Sequence, residues 1–160
     1  MITAEEFRGL AKYDPETGDF TWLKDRARAK AGTKAPRGSS RYIGYRIDGK
    51  FYFAHRLAWL WVHGEFPVGH IDHINGDEKD NRLVNLRLAT HQQNLYNRGA
   101  NKNNTTGYKG VYFLEPGKYK ASIKENGKSK HLGIFDNPID AHRAYSAAAL
   151  RLHGEFAKVA

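Results

Sequence analysis

Between Gly69 and Asn97 the chain reads GHIDHINGDEKDNRLVNLRLATHQQNLYN, two short apolar-alternating runs held apart by polar, turn-forming residues. His70 to Ile74 has the alternation of a strand, Asn75-Gly76-Asp77 to Asn85 carries the Asn, Asp and Gly that turns demand, and Leu86 to Ala89 reads as a second strand. Thr90-His91-Gln92-Gln93 has the form of a capping box opening a helix. The expected order is strand, loop, strand, helix. Asp72-His73 then ends the first strand, and Asn94 lies about one turn into the helix, where its side chain can fold back toward Asp72.

Apolar patterning on either side supplies the rest of the fold. Thr3-Ala4-Glu5-Glu6 is a second capping box, and Phe7, Leu10 and Ala11 at helical spacing predict a short opening helix. Asp14 to Gly18 reads as a turn into a strand, Phe20 to Leu23. Ile43, Tyr45 and Ile47 alternate up to Asp48-Gly49, and Phe51 and Phe53 alternate on the return, which predicts a hairpin. His55 to His63 follows as a helix with Leu57, Ala58, Leu60 and Trp61 on one face and Gly64 beyond its end; His55 and His63 are assigned to its packing.

From Arg98 to Gly107 nothing larger than Ala is available to a core, so the domain boundary is expected there, giving residues 1–100 and 101–160. Beyond it, Tyr108 to Phe113, Tyr119 to Lys124 and Lys130 to Phe135 read as strands, and Asn137 as the N-cap of a helix with Pro138 at its first position. Ala141, Ala144, Tyr145, Ala148 and Leu152 form that helix's apolar face. The expected class is α+β, with a three-stranded antiparallel sheet packed on one helix in the second half.

Charge narrows the partner. Lys plus Arg is 26 against 17 Asp plus Glu, a formal +9, and such an excess favours a polyanion through phosphate neutralisation and counterion release. Both halves contribute, with 16 basic and 12 acidic residues up to position 100 and 10 and 5 beyond it. Lys24 to Arg41 is a basic arm set in Ala, Gly and Ser, and Arg26, Arg28, Lys30, Lys34 and Arg37 are expected to order along a phosphate backbone. There is no cysteine, so disulfides, thiolate catalysis and cysteine-held zinc are excluded, and any metal must be held by His, Asp, Glu or Asn. No run reaches the length of a membrane span and acidic Glu5 and Glu6 stand near the N-terminus, so no membrane partner and a cytoplasmic location are expected.

The Asp72-His73 pair, Asn85 and Asn94, with the flanking DHINGD, DNR and NLR and the HRLAW at 55–59, resemble the HNH family of nucleases and their ββα-metal, or His-Me finger, motif. That resemblance covers about the first hundred residues. It implies Asp72 and Asn94 as metal ligands, His73 as general base, and Asn85 as the residue that braces the loop and orients His73. A carboxylate and an amide oxygen are hard ligands that leave room for water and phosphate, which suits one Mg²⁺ or Mn²⁺. A neutral His73, its other ring nitrogen bonded to a backbone carbonyl, would take a proton from the attacking water, giving 5′-phosphate and 3′-hydroxyl ends. His70 and His91 are candidates to replace a ligand but read better as surface residues. Arg56, Arg82 and Arg87 are candidate phosphate clamps or solvated side chains.

Residues 106–157 resemble the plant ethylene-response-factor, or Apetala-two, DNA-binding domain, through Gly107-Tyr108-Lys109-Gly110-Val111, Tyr119 to Ile123, His131 to Phe135 and the closing His153 to Ala157. The resemblance implies a sheet laid in the major groove. By alternation Tyr119, Ala121 and Ile123 face the helix, leaving Lys120, Ser122 and Lys124 outward beside Lys109, Tyr112 and His131 as DNA contacts. The strand tryptophans and most strand arginines of the plant pattern are absent, so target sequence does not transfer. The expected function is a metal-dependent endonuclease of homing or phage type acting on double-stranded DNA as a monomer or homodimer; the alternative is a non-catalytic DNA-binding regulator on a degenerate nuclease scaffold.

Overall fold

Thr3 accepts from the Glu6 backbone N–H and Glu6 reaches back to the Thr3 N–H, and this reciprocal cap starts α1, Ala4–Arg8. In the computed structural model, which describes residues 1–26, 29–36 and 40–159, α1 stops at Gly9, so Ala11 does not continue its apolar face. Ala11–Tyr13 forms β1 instead, a strand not expected from the sequence because three residues carry too little alternation, and it pairs antiparallel with β2, Phe20–Trp22, which falls within the expected strand Phe20 to Leu23. The hairpin of β3, Gly44–Ile47, and β4, Lys50–Phe53, turns at Asp48 and Gly49 with φ of 49° and 77°, as an Asp-Gly hairpin turn requires.

β4 runs straight into α2, Ala54–His63, which ends at left-handed Gly64. Leu57, Ala58 and Leu60 of α2 meet Phe7, Tyr13, Phe20, Tyr45 and Ile47 in one buried cluster. Leu57 is fully buried, and truncating such a side chain to alanine costs about 2 to 5 kcal/mol. This core carries the hairpin of β5, His70–His73, and β6, Leu86–Ala89, through Ile71 and Leu86. α3, His91–Asn97, follows β6 directly.

β7, Val111–Glu115, β8, Lys118–Glu125, and β9, Lys128–Phe135, form an antiparallel sheet in that order. α4, Pro138–His153, is capped by Asn137 and buries Ala141, Tyr145, Ala148 and Ala149 against that sheet's Val111, Ala121 and Ile123. The expected α+β class and the sheet-on-helix layout are both present. The chain divides into two compact units, 1–91 and 92–160. The division falls ahead of the polar 98–107 segment because α3 packs onward: the Tyr96 ring stacks on His153 at 3.5 Å, and Lys109 Nζ donates to the Tyr96 carbonyl.

The basic arm departs from the expected free segment. Its described residues lie along β2, where Trp22 donates to Thr33, Gly32 to Trp22 and Ala35 to Phe20, and Ala35 is buried. The edge of β2 offers unpaired backbone groups, and satisfying them outweighs the arm's solubility. Among the described residues no helix is long and apolar enough to cross a membrane.

Candidate active site

The β5–β6 register places Asp72 opposite Arg87 and His73 opposite Leu86, with Ile71, Asp72 and His73 all buried. A buried carboxylate needs a partner. Arg87 supplies it, its Nε donating to Asp72 Oδ2 at 2.9 Å and its Nη2 standing 2.8 Å from the same oxygen as an ion pair. Arg87, expected as a DNA contact, is therefore mostly buried and committed to Asp72, because cross-strand partners share one face of the hairpin.

The loop from Ile74 to Asn85 is held by side-chain-to-backbone bonds alongside its backbone turns. Asn85 Oδ1 accepts from the Asn75 N–H at 2.9 Å while its Nδ2 donates to the Asp80 carbonyl at 2.8 Å, stapling the two ends of the loop together. Asn75 Nδ2 donates to the Asp80 carboxylate, which the Arg82 guanidinium beside it holds down at a pKa of about 2. The turn before β2 buttresses the same loop: Tyr13 Oη donates to the Asn81 carbonyl at 2.6 Å and Leu83 N–H to Pro15 at 3.0 Å. Gly18, at φ +73°, lets that turn approach closely, since a Cβ there would stand 2.6 Å from the Arg82 nitrogen.

His73 meets Asn81, not Asn85. Its Nε2 lies 3.2 Å from Asn81 Oδ1, where the sequence reading expected a backbone carbonyl. Asn81 Nδ2 in turn lies 3.4 Å from the Lys79 carbonyl, to which it donates, so the amide that meets His73 is itself tied to the loop backbone. Burial pushes the His73 pKa down, against the upward pull of Asn81 and the carboxylates of Glu78, Asp72 and Asp77, so the ring is neutral at pH 7.

His55, assigned to helix packing, belongs to this site. Its ring lies 5.2 Å from that of His73, edge to face, and Tyr42 packs on both at 5.7 and 6.3 Å. His55 Nδ1 is buried with no hydrogen-bond partner among the described residues, and burial first, then His73 and Arg56, lower its pKa to about 3. The only sequence signal was its place at the head of HRLAW. Arg56 donates to the carbonyls of Gly69 and Pro67, fixing the entry to β5, and Arg82 pairs with Asp80; neither is a free phosphate clamp. His70 is exposed, and its ring lies 5.5 Å from that of His91.

Asn94 is the fourth residue of α3. Among the described residues no three His, Cys, Asp or Glu side chains gather into a group. The buried Asp72 carboxylate is a hard oxygen donor, which suits an ion of the Mg²⁺ kind that keeps most of its shell for water and phosphate.

The candidate DNA contacts differ in setting. Arg26 lies over the Trp22 ring, Lys30 pairs with Asp25 and Lys34 with Asp19, while Arg28 and Arg37 lie outside the described residues. On the sheet, Tyr112, Lys124 and His131 are exposed, and Lys120 is half-buried with Nζ over the Tyr112 ring. Ser122, expected outward, is buried, because the ladder shifts register between Ala121 and Ser122 and the Ser122 N–H turns to the Gly110 carbonyl. Lys109 is not displayed either: burial lowers its pKa to about 8 and its ammonium is bonded to Tyr96.

A two-stranded hairpin holding a buried Asp-His pair, its loop closed by Asn85 and followed at once by a helix, is the ββα arrangement of a nuclease. Residues 52–96 match the HNH endonuclease family. An uncharacterized HNH endonuclease of Acanthamoeba polyphaga mimivirus is 34% identical over 122 residues, 75% of this chain and 63% of that protein. Protein 3.8 of Escherichia phage T7 is 32% identical over 114 residues, 68% of this chain and 93% of that protein. The chain belongs to the HNH endonuclease family. It spans just under two thirds of the mimivirus relative's length, and no solved structure matches it.

Proposed function

We propose that the protein is a metal-dependent endonuclease that hydrolyses phosphodiester bonds of duplex DNA, of phage or homing type. The observation that carries this reading is His73, neutral, buried and held by Asn81 beside a buried carboxylate. His73 takes the proton of the attacking water, whose oxygen bonds to phosphorus as the P–O3′ bond breaks and O3′ takes up a proton from solvent, leaving 5′-phosphate and 3′-hydroxyl ends. Asp72 and Asn94 are the residues to hold one Mg²⁺ or Mn²⁺; when bound, that ion supplies positive charge to the scissile phosphate and the leaving oxygen. Asn85 acts through the loop, keeping Asn81 and hence the His73 ring in place.

The second unit, in this reading, is an Apetala-two-like module that positions the nuclease on duplex DNA through Tyr112, Lys120, Lys124 and His131. One centre cuts one strand, so a monomer nicks, and a double-strand break needs a dimer or a second encounter. The test is conversion of supercoiled plasmid to the open circle by the purified full chain. Mg²⁺ should permit it and EDTA abolish it; binding without nicking at any divalent ion would instead describe a DNA-binding regulator.

A further inference from the structure

The outer face of the β3–β4 hairpin carries two phenylalanines that the nuclease chemistry above does not use. Cross-strand pairing sets Gly44 opposite Phe53 and Arg46 opposite Phe51, so Phe51, Phe53 and Arg46 share one face while Tyr45 and Ile47 go into the core on the other. Phe51 is 52% and Phe53 40% exposed. Single exposed apolar residues are ordinary; two adjacent aromatic rings on one strand face mark a surface with a partner. Gly44 makes the face what it is: a Cβ there would stand 2.2 Å from Phe51 Cζ, so the Phe51 ring lies against bare backbone.

The rings are continuous with the candidate active site. Phe51 meets Phe53 at 5.2 Å, Phe53 stacks on His55 at 5.4 Å and 10°, and His55 meets His73 at 5.2 Å. The exposed pair thus begins two ring contacts from the proposed base, a distance of a few base steps of about 3.4 Å each. Arg46, exposed, shares this face, and a second copy of this basic chain would bring like charge to the same place.

We infer that Phe51 and Phe53 form a ledge on which a nucleobase of the cleaved strand stacks while the scissile phosphate, a few steps along that strand, lies at His73. The inference rests on the nuclease reading and adds the substrate feature it grips: a base whose face is opened near the cut. Aromatic rings bind any base by its π face, and Arg46 takes a flanking phosphate.

The test is equilibrium binding of the full chain to a fluorescein-labelled duplex in EDTA at several salt concentrations, where affinity is read without cleavage. Phe51→Ala with Phe53→Ala should weaken binding about tenfold or more with an unchanged salt slope, because stacking is lost and no phosphate contact is. Phe51→Tyr with Phe53→Tyr should bind like the wild type. Should the alanine pair lose its cooperative unfolding transition, Phe51→Leu with Phe53→Leu keeps the bulk without the ring and should show the same loss. Unchanged affinity overturns the ledge, as does a loss accompanied by an equally flattened salt slope. A wild-type dimer that the alanine pair dissociates, with DNA affinity unchanged, gives the face to a second copy and also overturns it. If the wild type never nicks plasmid yet the alanine pair loses affinity, the nuclease reading fails while the ledge stands.

Discussion

The β5–β6 hairpin and the β7–β8–β9 sheet are both short antiparallel structures rich in polar side chains, and they treat those side chains in opposite ways. In the hairpin, Asp72, His73, Asn81 and Asn85 are all buried and each is held by a named neighbour: Arg87, Asn81, Tyr13 and Asp80. On the sheet, Lys124, Tyr112 and His131 face water. Burying polar groups is expensive unless every bond is made, and a site that meets that cost gains fixed geometry and shifted pKa values. Displayed lysines keep their charge and rotamer freedom, which suits tracking a polyanion. In the proposed reading the first region does the chemistry and the second the attraction.

The comparison breaks most visibly at His73. His73→Ala should lower plasmid nicking by about 10² to 10⁴, the usual contribution of a positioned base, while half-saturation on duplex DNA changes little. Next comes the staple. Asn85→Ala leaves the Asn75 N–H and the Asp80 carbonyl without their partner and should cost about 1 to 3 kcal/mol in a denaturant titration. An undiminished midpoint would show that water replaces those bonds freely.

Acid sharpens the contrast. His55 and His73 have lowered pKa values in the folded protein, so below the ordinary value of about 6.5 the unfolded chain binds protons that the folded one refuses. Stability should therefore be fully present above pH 6.5 and fall below it, for His55 on down toward pH 3, by up to about 1.4 kcal/mol per pH unit while a histidine's two states differ in protonation. His55→Phe should make that fall shallower; an equal slope would mean that His55 is hydrated in solution. The smallest effect belongs to the sheet. Lys120→Ala with Lys124→Ala should weaken binding modestly and flatten its log–log salt dependence by up to about 1.8, two phosphates' worth.

What was legible in the sequence was local. Asp48-Gly49, Thr3-Glu6, Asn137-Pro138 and the Gly76 loop are signals carried by neighbouring residues, and the elements they mark are present. Tertiary pairing was harder to read. The Asp72–Arg87 bond depends on a register that alternation alone does not set, and the docking of Ala35 on β2 on an edge with no sequence signature. Asn81 was hidden because an Asn in a polar loop looks like turn chemistry, and its role appears only when the loop closes over His73. Likewise His55 sits at helical spacing with core residues, and only the placement of β5 beside α2 brings it to His73. The Ser122 bulge shows the limit of alternation itself, since one shifted residue moves a side chain from the outer face into cover.

The division between chemistry and attraction is tested most directly by one crossed titration. Single-turnover nicking of one plasmid is followed against protein concentration in Mg²⁺ for the wild type, His73→Ala and the Lys120→Ala, Lys124→Ala pair. The plateau rate should collapse for His73→Ala at an unaltered half-saturation point, and the lysine pair should need more protein to reach a plateau equal to that of the wild type. A half-saturation shift in His73→Ala as large as its loss of rate, or a lowered plateau in the lysine pair, would contradict it.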